Sequence, residues 1–402
     1  MSLARTTSTA ARFPLASLIG GLGAGQIIGW GSGFYLPTIL ARDISVDIGL
    51  SEEVVYAGTT VMLLVSATLS PWLGRSLDRG AARLIMTSGC VLAALALCLL
   101  AASEGLKTYL FGWVVMGASS AMLLANSAFV AVAQLAGAGA RRAMTVLMLF
   151  TGVASSVAWP VLSVLDARYG WRTTCFLLAA LQFFICAPFH WWLLGRRVAP
   201  VAASGPGRVL QDGLPPERQK AAMRILLPCM CLSGFISWGL SVHIVDLLRH
   251  LGAEPDAAIW LASLLGILQV SARLIDLAMG ARHSPLLTGI VAAALLSLAF
   301  AIALIPWSGG PPPFAFMIVY GVASGSMSLA RVMIPLALFG SRSYGRASGL
   351  LAAFQNVAYA LAPLAYAALF ARAGTAPALW LSFGAGFATL IGMIILFRMR
   401  QA

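Results

Sequence analysis

Two arginines sit where a charge is costly. Arg273 lies in the apolar run Ala257–Gly280 and Arg331 in the apolar run Phe314–Gly340. Arg273 is nine residues from Arg282 and Arg331 eleven from Arg342, the nearest flanking basic residues. At ~1.5 Å rise per residue, that places both near the middle of a hydrocarbon layer ~30 Å thick. A charge at that depth costs roughly 2.5–3.5 kcal/mol on insertion scales, so it marks either a buried pair or a functional site. A guanidinium offers a planar fork of donors that matches a carboxylate, so the chemistry indicated is anion recognition.

The neighbours of each arginine leave two readings open. In the segment Gln269-Val270-Ser271-Ala272-Arg273-Leu274-Ile275-Asp276, Gln269 and Arg273 share a helix face, and Asp276 is three residues beyond. Arg273 and Asp276 form a self-neutralising structural pair, or Arg273 receives an anion while Asp276 is its partner in the empty state or a proton site. Arg331 lies four residues before Pro335, which removes the donor to the carbonyl of Arg331. Arg331 either helps satisfy that freed carbonyl or adds a second cationic contact, with Asp246 or Asp276 as a charge partner. Two unpaired cations in one pocket favour a dianion, or one anion with a chloride.

Three further groups are candidates for carrying a coupling proton: His243, Asp246 and Asp276. His243 is the side chain whose ordinary titration falls near neutral pH, whereas Asp246 falls close to the end of its run, where a carboxylate costs little. His190, in Phe189-His190-Trp191-Trp192, reads as an anchor at a membrane interface. Gln26, Asn126, Gln134, Gln355 and Asn356 are isolated polar residues expected to hydrogen-bond between helices. The six cysteines read as small packing residues and none has metal-site spacing with histidine, so no metal or cofactor is expected.

The elements that must position these groups follow from composition. The 402-residue chain is 60% hydrophobic and only 10% charged, against about 25% charged in soluble domains. Twelve apolar runs follow one another: Leu15–Leu40, Val54–Leu73, Leu84–Ser103, Tyr109–Leu135, Ala143–Leu165, Thr173–Gly195, Met223–Leu248, Ala257–Gly280, Leu286–Ile305, Phe314–Gly340, Ala347–Phe370 and Ala376–Phe397. They are too long and too continuously apolar for barrel strands, so the chain is an all-α membrane protein. The first run is too long, and followed by too many others, for a cleaved signal.

The net charge of +13 is distributed by side rather than as a nucleic-acid patch. With the N-terminus inside, Arg5, Arg12, Arg75, Arg79, Arg83, Arg141, Arg142, Arg196, Arg197, Arg208, Arg218, Lys220, Arg224, Arg282, Arg342, Arg346, Arg398 and Arg400 all fall on the inner side. Only Arg42, Lys107, Arg168, Arg172, Arg249 and Arg372 fall outside, and the acidic residues lean outward. This asymmetry places both termini in the cytoplasm.

A charged, proline- and glycine-rich stretch over 196–222 divides the chain into bundles at 1–195 and 223–402. Internal similarity supports the division. Arg142-Ala143, Leu147 and Phe150 recur as Arg346-Ala347, Leu351 and Phe354. Trp30-Gly31, with Tyr35 and Leu40, recurs as Trp238-Gly239, with His243 and Leu248. Paired repeats place a solute site at their interface near the bilayer midplane.

After the second run comes Gly74-Arg75-Ser76-Leu77-Asp78-Arg79-Gly80-Ala81-Ala82-Arg83. It resembles the G-x-x-x-D-R-x-G-x-R loop of the major facilitator superfamily, except that Gly80 is early and Ala81 holds the usual place of the second glycine. The resemblance covers the whole chain and implies two pseudo-symmetric bundles of six helices rocking about a central cavity. It implies that Asp78 caps the start of the eleventh helix and that Gly74, Asp78, Arg79 and Arg83 form a cytoplasmic gate. It also implies that the first and eleventh helices line the cavity, which promotes Gln26 and Asn356 as candidate solute contacts beside Arg273, Gln269, Arg331 and Tyr35.

The eighth run is similar to that of monocarboxylate and oxalate–formate porters, which carry an arginine there that meets an anion. Monocarboxylate porters have an aspartate four residues earlier, where this chain has Gln269, so their proton coupling does not carry over. Trp30-Gly31 and Gly170-Trp171-Arg172 are weaker points of similarity. The expectation is therefore a secondary transporter of a small, monocarboxylate-like anion in a bacterial inner membrane, acting as a monomer, with protons a candidate coupling ion. The rival is proton-driven efflux of an amphipathic or cationic compound. An enzyme lacks its catalytic cluster in this sequence, and a membrane-embedded sensor lacks an appended output domain.

Overall fold

The computed structural model describes residues 14–196, 213–279, 284–305 and 312–401. Arg5, Arg12, Arg197, Arg208, Arg282 and most of the connection between the halves lie outside the described residues. Apolar runs in lipid become helices because only intrahelical bonding satisfies their backbone. The first half contains α1 (Leu15–Ser32), α2 (Leu36–Ile48), α3 (Glu52–Asp78), α4 (Ala82–Ala101), α5 (Leu106–Leu123), α6 (Ala125–Leu135), α7 (Ala140–Gly152), α8 (Ala154–Ala180) and α9 (Ala187–Leu194). The second contains α10 (Pro216–His250), α11 (Pro255–Met279), α12 (Pro285–Leu304), α13 (Pro312–Phe339), α14 (Tyr344–Ala373) and α15 (Thr375–Gln401).

Among the described residues, ten helical stretches are long and apolar enough to cross a membrane. One of them, Ala140–Leu194, is 55 residues long, roughly 80 Å as a straight helix and far more than one bilayer. It folds back at Gly170 (φ 75°, ψ 166°) and supplies two crossings. The remaining crossing is α1–α2, giving the twelve expected.

Several runs depart from the continuous helices expected, the fourth among them, which breaks at Leu124 between α5 and α6. The first breaks at Gly33–Tyr35 and continues as α2 to Ile48, beyond the expected end at Leu40. Gly31, Gly33 and Pro37 weaken helix continuity at that place. The fifth breaks at Val153, between α7 and α8, and α10 begins at Pro216, earlier than the expected Met223. The displaced glycine of the second loop has its own consequence: Gly80 adopts φ 87° and makes the turn into α4 one residue early.

The two ends of the molecule pack differently. At the end rich in arginine, one apolar cluster joins Leu18, Met86, Ala133 and Leu147 of the first half to Leu329, Met333 and Tyr344 of the second. At the opposite end each half keeps its own core, around Leu40, Leu97 and Trp113 in one and around Leu247, Phe300 and Phe316 in the other. Down α3 and α14 the contacts step by a helical turn toward the basic end. Asn356 Nδ2 donates to Ser66 Oγ (3.2 Å), Gly349 lies against Ser70, and Gly74 against Gly345. Asp78 closes the row by accepting from the backbone N–H groups of Gly345 and Arg346, both at 2.7 Å. A carboxylate there meets the positive end of the α14 dipole. The halves are thus joined at the basic end and parted at the other.

Candidate functional site

The parted end opens onto a cavity of about 740 Å³ between the halves. A smaller chamber of about 230 Å³ lies deeper, toward Ser70, Tyr344 and Ser348, and shares Trp30, Trp238, Arg331 and Tyr359 with the larger one. The break between α1 and α2 brings Trp30, Phe34 and Tyr35 to the wall. From the other half α10 contributes Trp238, α11 Gln269 and Arg273, α13 Ser328 and Arg331, and α14 Tyr359. Arg273, Arg331, Gln269 and Tyr35 therefore line one cavity, and Asn356 lines the deeper chamber. Among the described residues, no aspartate or glutamate lines either space.

The two arginines differ in their partners. Arg273 is 8% exposed; its Nε donates to Ser328 Oγ (3.2 Å) and its Nη1 to the carbonyl of Met148 (3.3 Å). Met148 lies near the C-terminal end of α7, where the helix dipole favours a cation, and its carbonyl also accepts from Thr151 Oγ1 (3.0 Å). Gly152 makes room for this approach, since a Cβ there would lie 2.7 Å from Nη1 of Arg273. Gln269 Nε2 donates to Ser324 Oγ (3.1 Å), which ties the same face of α11 to α13. Arg331 makes no hydrogen bond among the described residues, including to its own carbonyl freed by Pro335, and its Nη1 is buried without a partner. Nε1 of Trp30 is likewise buried and unpartnered.

Several expected residues lie elsewhere. Asp276 does not pair with Arg273; it meets Arg141 of α7 at 3.5 Å and accepts from Thr288 Oγ1 at 3.3 Å. Its direction on α11 turns it toward α7 and α12, away from the cavity. Gln26 is fully buried inside the first bundle, with Nε2 donating to the Leu123 carbonyl (2.9 Å), and does not line the cavity. His243 lies between α10 and α14, where its Nε2 donates to the Pro363 carbonyl (3.2 Å); Pro363 itself lines the cavity. Asp246 is at the surface, 3.9 Å from Arg249. His190 is no interface anchor: it is fully buried, bonded through Nδ1 to the Cys186 carbonyl (2.9 Å) and packed on Gly25 and Cys90.

Arg79 is exposed at the end of α3. Arg83 turns back into its own half, 3.8 Å above the Trp191 ring with Nε donating to the Trp191 carbonyl (2.8 Å). Phe34, Trp159 and Tyr359, which carried no signal in the sequence beyond being aromatic, also line the cavity. Trp30 and Trp238 carried one, because they repeat between the halves.

The chain's residues 22–242 match the sequence profile of the Major Facilitator Superfamily. No curated protein matches the chain at a significant level. Among solved structures, it is similar to the human organic anion transporter MFSD10 (TETRAN), with 17% identity, 96% of this chain and 100% of that chain covered, and a TM-score of 0.70. It is also similar to the proton:xylose symporter XylE bound to 6-bromo-6-deoxy-D-glucose, with 14% identity, 96% and 95% covered, and a TM-score of 0.66. At these identities the likeness concerns the fold. The profile covers more than half of the chain, on a fold of two bundles around a central cavity, and so the chain belongs to the Major Facilitator Superfamily and is a multi-pass membrane transporter.

Proposed function

We propose that this transporter moves a small, monocarboxylate-like organic anion across a bacterial inner membrane by alternating access. The observation that supports the reading is Arg273 and Arg331 on the wall of one cavity, with no acidic residue among the described lining residues. An anion satisfies both charges, whereas a cation would meet two like charges in a low-dielectric space. That weighs against efflux of a cationic compound. The name of the human neighbour, an organic anion transporter, accords with this reading.

By the positive-inside rule the basic end faces the cytoplasm, so the cavity opens outward. Rocking the halves inward requires release of Asp78 from the start of α14 and of Arg141 from Asp276. Of the three candidates, His243 is the coupling-proton site, because its partner Pro363 forms part of the cavity wall.

Uptake into proteoliposomes tests both parts. Radiolabelled carboxylates are accumulated, and Arg273→Ala, Arg273→Lys and Arg331→Ala each abolish uptake in folded protein. Normal transport by Arg273→Lys would remove two-point recognition at that residue. Uptake of neutral sugars or amines in place of acids would overturn the anion reading. With His243→Gln, an inward proton gradient no longer stimulates uptake while solute exchange persists. Unaltered stimulation places the proton elsewhere.

A further inference from the structure

The two arginines account for the charge of the solute and leave its body undefined. The wall around them is strongly aromatic, and the rings are joined. Tyr35 lies 6.1 Å from Trp159 and 6.2 Å from Trp30, centroid to centroid, and Trp30 lies 5.6 Å from Phe34. Phe34 then meets Trp238 of the other half edge-on at 5.1 Å, and Trp238 stacks on Tyr359 at 4.8 Å with the planes 9° apart. These separations are those at which aromatic pairs attract. They make one ring surface that crosses from bundle to bundle beneath the open mouth of the cavity.

Two buried donors in that wall have no protein partner, Nε1 of Trp30 and Nη1 of Arg331. Both residues border both chambers. An unpaired buried donor costs about 1–3 kcal/mol, more when charged, so an acceptor that reaches these donors removes that cost. The acceptor sits against rings. A short aliphatic acid would supply the acceptor and leave the rings in water.

We propose that the solute is an aryl carboxylate, its acid group bound by Arg331 and the Trp30 indole and its ring packed on the Phe34–Trp238–Tyr359 surface. The proposal rests on the anion reading above and narrows it to a class of body.

The test is a set of affinities, measured by thermal shift on the purified full chain, for phenylacetate, cyclohexylacetate, propionate and phenylacetamide. Phenylacetate is expected to bind roughly tenfold or more tighter than propionate, from the added buried ring. It should exceed cyclohexylacetate by roughly two- to tenfold, from ring–ring geometry, and phenylacetamide should not bind measurably. Trp238→Leu should weaken phenylacetate by roughly two- to tenfold more than it weakens propionate; should that variant not fold, Tyr359→Leu carries the same expectation.

Equal affinity for propionate and phenylacetate overturns the aryl assignment and leaves the anion reading standing. Equal affinity for cyclohexylacetate and phenylacetate also overturns it, because bulk apolar burial would then suffice. Phenylacetamide binding as well as phenylacetate overturns the anion reading, and the proposal with it. So does the absence of binding by every acid.

Discussion

Arg331 and Arg273 began as equivalent features, each a charge at mid-membrane depth, and their surroundings separate them. Arg273 is bonded to Ser328 and to the Met148 carbonyl of α7, so it joins the two halves. Arg331 keeps a buried nitrogen without a partner. A buried unpaired donor destabilises the empty protein and is retained where a ligand satisfies it. Arg331→Met is therefore expected to raise the melting temperature of the solute-free protein, by the equivalent of roughly 1–3 kcal/mol, while weakening anion binding roughly tenfold or more. Paired melting curves with and without a carboxylate decide the matter; a lower melting temperature with binding retained would refute it. Depth in an apolar run was readable from the chain, and so were both arginines. That Asp276 belongs to Arg141 was not, because the direction of a residue three positions along a helix acquires meaning only when the neighbouring helices are placed.

At the scale of elements, the breaks do more than the helices. Trp30, Phe34 and Tyr35 reach the cavity because the first crossing is interrupted at Gly33–Tyr35. The corresponding α10 runs unbroken from Pro216 to His250. Repeated residues such as Trp30 and Trp238 thus sit on unlike backbones. The reversal between the fifth and sixth crossings depends on Gly170, whose φ 75° and ψ 166° are a region nearly confined to glycine. Gly170→Ala should lower the stability of the first bundle by roughly 1–3 kcal/mol. Thermal unfolding in detergent measures it, and a change within a few tenths would mean that the turn relaxes without strain. Gly170 was visible in the sequence next to Trp171-Arg172, but its role as the hinge between crossings was not, since glycine in a membrane helix equally serves close packing.

For the whole molecule, what matters is the contrast between a joined basic end and a parted opposite end. The joined end rests on small residues along α3 and α14 and on Asp78 at the start of α14. A Cβ on Gly349 would lie 3.1 Å from the Cα of Gly74 and clash with the Ser70 carbonyl, so Gly349→Val must push the two helices apart. Asp78→Ala removes both hydrogen bonds at the end of the row. Each variant is expected to speed labelling of Ser348→Cys by a membrane-impermeant thiol reagent from the basic end, in a background lacking Cys98 and Cys231. Ser348 faces the deeper chamber and is 7% exposed. An unchanged rate would show that something other than the α3–α14 pairing holds that end shut.

The sequence by itself determined the class of fold, the number and order of crossings, the division into similar halves and the placing of the two arginines within apolar segments. Lipid imposes a hydrophobic length and a charge penalty on each segment separately, so these properties can be read one segment at a time. Only the tertiary structure decided which side chains share a space. It put Arg273, Arg331, Gln269 and Tyr35 on one cavity, withdrew Gln26, His243, Asp246 and Asp276 from it, and added Phe34, Trp159 and Tyr359. The direction of a side chain depends on helix rotation and on where a helix breaks. Both are set by packing against several distant segments at once, and no local pattern of residues encodes that sum.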